Sequence, residues 1–122
     1  MSKCIILILF FSLTSFSCKQ PAIIESNEAV GLLENDDYYF LDVRTLKEHN
    51  TKSIPNTACI PVQKIEQRIE EIAQYKDKKI IVYCRSGNRS EIATKILNQN
   101  GFDAYNMLGG MNEWKGKVNQ KR

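Results

Sequence analysis

Histidine occurs once in the 122 residues, and the chain shows no basic stripe, internal repeat or low-complexity tract. A lone histidine, His49 in "KEHNTK", gives no support to a histidine metal centre and reads as a solvated side chain. The formal charge of +3 is spread among acidic residues such as Asp36, Asp37, Glu70 and Glu71. That excludes the clustered cationic face by which nucleic acid is bound. The only basic cluster, "KGKVNQKR" at the C-terminus, reads as a solvated tail. There is one long apolar run, "CIILILFFSLTSF", and it is shorter than the about 18 residues of a membrane span. Cysteine is sparse in the part that folds: of four, Cys4 and Cys18 lie in or beside the apolar run, leaving Cys59 and Cys84. The pair allows one disulfide at most, or a reactive thiol and a bystander.

Lys3 ahead of the apolar run and Ser17 before Cys18 have the form of an export signal that is removed or processed. The sequence therefore divides into a leader at residues 1–17, a tether at 18–22, one domain at 23–118 and a basic tail at 119–122. The stretch "LTSFSC" resembles the lipobox of bacterial lipoproteins, which implies lipidation at Cys18 as the mature N-terminus. It departs from that pattern in having Ser15 three positions before the cysteine. The expected location is periplasm or cell envelope, anchored through Cys18, with a soluble exported form as the alternative.

From "PAIIES" onward, short β-prone runs alternate with helical patterns. Ser26 or Asn27 caps a helix through "EAVGLLEN"; "YYFLDVR" is a strand and "TLKEHN" a short helix. "TACIPV" is a brief strand, and "VQKIEQRIEEIAQY" places Ile65, Ile69 and Ile72 at helical spacing. "KKIIVYC" is a third clear strand. "RSEIATKILNQNG" is a helix with Ile92, Ile96 and Leu97 on one face and Gly101 as its stop, and "FDAYNML" is the last strand. Trp114 in "MNEWK" packs a final helix against the sheet. The alternation predicts an α/β domain with a mainly parallel sheet covered on both faces.

In such sheets ligands gather beyond the carboxyl ends of the strands, where Cys84 stands, with Asp42 and Arg44 of "LDVR" at a second such end. A cysteine ionises more readily beside arginine or a helix N-terminus. Arg85 and Arg89 flank the loop, a helix starts near Ser90, and Gly87 lets the intervening amides curl inward as an anion nest. This arrangement predicts a nucleophilic Cys84 on the floor of an oxyanion cradle. The bland alternative is a small buried residue that ends a core strand. The spacing of Arg44 and Glu48 suggests an i, i+4 ion pair. Asp42 is either an ordinary carboxylate or one that orients the loop through Arg85 or Arg89. Cys59 reads as a buried core cysteine rather than a resolving thiol.

"YCRSGNRSEIATKILNQNGF" and "YNMLGGMNEW" closely resemble a single-domain rhodanese, and "FLDVRTLKEH" and "SIPNTACIPV" resemble that family's earlier blocks. The resemblance implies a five-stranded mainly parallel sheet with helices on both faces. It also implies a persulfide on Cys84 and a substrate cradle of Arg85, Ser86, Gly87, Asn88, Arg89 and Ser90, supported by Asp42 and Arg44. By the same resemblance the substrate is a small sulfur-containing anion such as thiosulfate. Sulfite leaves, a thiol or cyanide accepts the sulfur, and no cofactor or metal takes part. The chain reads "KSIPNT" at residues 52–57 where the family commonly reads "GHIPGA". Two other functions stay open. One is a phosphatase of the kind that shares this fold, or an arsenate reductase: cysteine phosphatases place five residues between cysteine and arginine, whereas four separate Cys84 from Arg89, a tighter cradle that fits an attacked sulfur better than a full phosphate or arsenate. A non-enzymatic persulfide carrier or anion-binding module is the second.

Overall fold

The computed structural model describes residues 22–121. The expected leader, the lipidation position Cys18 and most of the tether lie outside the described residues. A five-stranded sheet in the order β1-β6-β5-β2-β4 forms the centre, and every pairing in it is parallel. Its strands are β1 (Ile23–Glu25), β2 (Tyr38–Asp42), β4 (Ala58–Cys59), β5 (Lys79–Tyr83) and β6 (Asp103–Leu108). The helices are α1 (Ser26–Val30), α2 (Leu46–Thr51), α3 (Ile65–Arg68), α4 (Asn88–Gln99) and α5 (Gly110–Glu113). The expected fold class is the one observed.

Side chains alternate across the strands, so β5 supplies both cores. Ile80, Val82 and Cys84 face a cluster completed by Leu41, Ile65, Ala93 and Leu97. Ile81 and Tyr83 face a second cluster with Ala29, Phe40, Met107 and Trp114. Trp114 is buried, meets Phe40 edge-on at 6.1 Å and donates its indole N–H to the Lys117 carbonyl, as its expected packing role requires.

Three local expectations are corrected. The long helix expected over "VQKIEQRIEEIAQY" is α-helical only at Ile65–Arg68, with 3₁₀ turns at Val62–Lys64 and Ile69–Tyr75. Ile65 and Ile72 are still buried, and the Arg68–Glu71 pair spans the i, i+3 step that a 3₁₀ turn eclipses. In α4 the buried face is Ser90, Ala93, Thr94 and Leu97, while Ile92 is 55% exposed. Polar residues take the inner positions because their hydroxyls have partners there: Ser90 bonds Asn106, and Thr94 bonds the Ser90 carbonyl. The basic tail is not merely solvated, because β7 (Asn119–Gln120) pairs antiparallel with β3 (Lys52–Ser53), satisfying backbone groups left open after α2.

The "KSIPNT" departure keeps its turn. Asn56 adopts a φ of 60°, a left-handed conformation that asparagine tolerates better than most side chains. Lys52 is extended at φ −157°, so nothing there demands a glycine.

Candidate active site

Cys84 follows β5, the middle strand, at the carboxyl end of the sheet. The loop after it turns at Gly87, whose φ of 108° suits glycine, and runs into the 12-residue helix α4. Gly87 donates its N–H to the Cys84 sulfur at 3.1 Å, and the Ser90 hydroxyl lies 3.3 Å from it. Burial opposes ionisation of the thiol. The Ser90 hydroxyl and the amides of Ser90, Gly87 and Ser86 outweigh it, so the thiol is held below its ordinary range. The N-terminus of α4 acts in the same direction.

The "GGMNEW" block explains why those amides face inward. Met111 and Asn112, in the first turn of α5, donate their N–H groups to the carbonyls of Cys84 and Arg85 at 2.9 and 3.0 Å. The loop's carbonyls are thereby turned outward and its amides inward. This contact requires Gly110: a Cβ there would stand 2.4 Å from the Cys84 carbonyl oxygen. Cys84 has 0% exposure, so the bland expectation of a core cysteine holds for its packing, but a core contact alone would not aim an amide at the sulfur.

The arginines divide differently from expectation. Arg89 is bound to Glu48 through two contacts of 2.7 and 3.0 Å, which commit one N–H of each terminal nitrogen to a carboxylate and fix the guanidinium against α2. Arg85, Ser86 and Asn88 are exposed at the rim. Arg44 does not pair with Glu48. Its guanidinium forks onto Asp42 at 2.8 to 3.2 Å and reaches the Lys52 carbonyl at 2.6 Å. Asp42 is fully buried and bonds Arg44 and His49 rather than Arg85 or Arg89. Residues two apart on an extended chain face the same way, and that brings Arg44 to Asp42 before any helical pairing can form.

His49 is likewise not simply solvated: its Nδ1 lies 2.9 Å from Asp42. Asp42, His49 and Cys59 bring ligand-type atoms within 4.8 Å of one another. The carboxylate, however, already accepts from Arg44 and His49. The Cys59 thiol is pushed up to about 11 by burial first and the Asp42 charge second, away from the thiolate a metal would need. Cys59 is half-buried rather than a core residue, and its thiol points at the Arg44 carbonyl. Cys59 and Cys84 are both free thiols.

Arg89 holds the Glu48 carboxyl down at about 2, against an ordinary 4.5, chiefly through their hydrogen bonds. A depressed carboxylate contributes stability that is present above its ordinary value and lost as pH falls toward 2. Glu48→Gln is expected to lower stability by about 1 kcal/mol at pH 7, given partial exposure of the pair. Urea titrations of both proteins should converge as pH approaches 2; an undiminished difference there would disprove the linkage.

A buried cysteine under converging amides, at the carboxyl end of a parallel five-stranded sheet, defines a cysteine-loop α/β protein of the rhodanese type. The family model described as the rhodanese-like domain matches residues 25–117, and the chain belongs to that family. It is 34% identical over 87 residues to YtwF of Bacillus subtilis, named as a sulfurtransferase, covering 71% of this chain and 82% of that one. It is 32% identical over 96 residues to YrkF of the same organism, named as a sulfur carrier protein, covering 78% of this chain and 46% of that one. The chain thus spans half or less of the length of some curated relatives that it matches. The crystal structure of a rhodanese-related protein from Thermoplasma volcanium superposes with a TM-score of 0.74 at 28% identity, covering 82% of this chain and 99% of that one.

Asn106 escaped the sequence reading. Its only signal was a polar residue interrupting the apolar strand "YNML", yet it is buried beside Ser90 and Gly87.

Proposed function

We propose that the protein is a sulfurtransferase in which Cys84 takes the sulfane sulfur of an anion such as thiosulfate and passes it to a thiophilic acceptor. The observation that carries this reading is the sulfur's position under inward-facing amides, with its thiol held low. In the first half-reaction the thiolate attacks the outer sulfur of thiosulfate. A new S–S bond forms on Cys84, the thiosulfate S–S bond breaks, and its electron pair leaves on sulfite. The loop amides favour ionisation of the attacking thiol and the leaving group is a weak base, conditions that favour the exchange. In the second, cyanide or a thiol attacks the outer sulfur of the persulfide and returns the Cys84 thiolate.

The roles follow the geometry. Amides of Ser86, Gly87 and Ser90 stabilise charge on the sulfur, and exposed Arg85 supplies the cation at the rim. Arg89 supports the cradle through Glu48, and Asp42 with Arg44 buttresses its wall. With residues 1–17 as an export leader and Cys18 lipidated, this chemistry would operate in the cell envelope. The name of YrkF favours one second reading, a sulfur carrier that loads once and needs a protein acceptor.

Intact mass of the purified protein after thiosulfate treatment tests the cycle. The expected result is a gain of one sulfur atom that cyanide discharges as thiocyanate over many turnovers. Loading without turnover would favour the carrier, and no loading of a demonstrably reduced Cys84 would rule out thiosulfate as donor.

A further inference from the structure

The sulfur of Cys84 is linked to β6 by a short chain of buried polar groups. Asn106 donates from Nδ2 to the Gly87 carbonyl at 3.1 Å, which fixes the amide's orientation: turned over, it would set two acceptor oxygens against each other. Its Oδ1 therefore faces Ser90, whose Oγ lies 2.5 Å away. A serine hydroxyl has one proton, and at that distance from an acceptor oxygen the proton belongs between the two. The same Oγ is 3.3 Å from the Cys84 sulfur. With its proton committed to Asn106, Ser90 offers the sulfur only a lone pair. A thiol S–H is matched by that lone pair; a thiolate is not.

We propose that Asn106 is a positioning residue that sets the direction of the Ser90 hydroxyl, so that Ser90 accepts from the Cys84 thiol at rest and donates to the sulfur only after its proton leaves Asn106. When the thiol proton passes to water, rotation about the Cβ–Oγ bond of Ser90 brings its O–H onto the thiolate. The move leaves Oδ1 of Asn106, buried at 3% exposure, without that bond. Asn106 and the thiolate thus compete for one proton, and an unpaired buried acceptor carries a real cost. Asn106 also works the other way, because its hold on the Gly87 carbonyl steadies the residue whose amide donates to the sulfur. The Ser90 backbone is held separately by Thr94, so the side chain can be changed without releasing the helix.

The charged groups on the elements packed about the sulfur are Arg85 and Arg89 of the loop and α4, Glu48 of α2 bound to Arg89, the Asp42 and Arg44 pair at the end of β2, and Glu113 of α5, whose carboxylate stands beside Gly109. Asp103 begins β6 at the end remote from Asn106. None of these changes when Asn106 is replaced, so the comparison isolates the relay. It rests on Cys84 as the reactive thiol but uses no sulfur donor, so a failure to load from thiosulfate leaves it standing.

The test is thiolate absorbance of Cys84 against pH, taken as the difference from Cys84→Ala, for Asn106→Leu in the native and the Ser90→Ala backgrounds. With Ser90 present, the freed hydroxyl should donate to sulfur and raise the thiolate fraction at fixed pH about three- to tenfold. In the Ser90→Ala background the same change should lower that fraction, because only the Gly87 support is lost. Asn106→Ala serves where the leucine variant fails to fold by circular dichroism. Equal effects in both backgrounds, or none in either, would overturn the relay.

Discussion

Cys84→Ser is expected to reduce sulfur transfer to cyanide by about 10³-fold or more, the order of loss seen when a covalent nucleophile is removed. The substitution is nearly isosteric, and the loop amides, the α5 contacts to the Cys84 and Arg85 carbonyls and the packing of β5 would all remain. What disappears is the atom that forms the S–S bond and the ionised group that begins the exchange, since a serine hydroxyl in the same cradle stays protonated at neutral pH. Circular dichroism and the unfolding midpoint should stay close to those of the native protein while persulfide mass and thiocyanate production vanish. Retention of activity within tenfold would show that the proposed cycle does not run through Cys84.

Asp42→Ala is expected to produce the largest loss of stability, about 3–5 kcal/mol, because it strands the guanidinium of Arg44, a residue only 6% exposed. For a domain of this size that corresponds to a fall in Tm of about 15 °C or more. Asp42 joins several pieces: it accepts from the Arg44 backbone and side chain and from His49 on α2, while Arg44 reaches on to the Lys52 carbonyl. The origin of the loss can be separated from its size. Replacing both members, Asp42→Leu with Arg44→Leu, should recover much of the stability, since a buried pair exchanged for apolar side chains is close to neutral. A single variant that loses less than about 1 kcal/mol, or a double variant worse than the single, would contradict this account.

The contrast between these two positions shows how unevenly the site could be read in advance. Cys84, Gly87 and the start of α4 were legible because strand end, glycine turn and helix N-terminus are contiguous, and local chemistry settles how they sit. The pairing of Arg89 with Glu48 was not legible because Glu48 lies 41 residues earlier and meets it only when α2 and α4 come together. Asp42, Arg44 and His49 were close in sequence, yet their pairing depends on which way a strand end faces as it leaves the sheet. Asn106 was overlooked because a polar residue in a strand has no visible purpose until its neighbours on α4 and the loop are in place.

The sequence by itself determined the alternating strands and helices, the parallel α/β class, the strand that ends in Cys84 and the glycine that lets the loop curl. These follow from side-chain periodicity and backbone freedom over a few residues. Tertiary structure alone decided that α5 turns the loop carbonyls outward, that Glu48 takes Arg89, that β7 closes on β3, and that the Ser90 hydroxyl stands between Asn106 and the Cys84 sulfur. Each is a contact between segments far apart in the chain, and its geometry exists only once the sheet has brought their ends together.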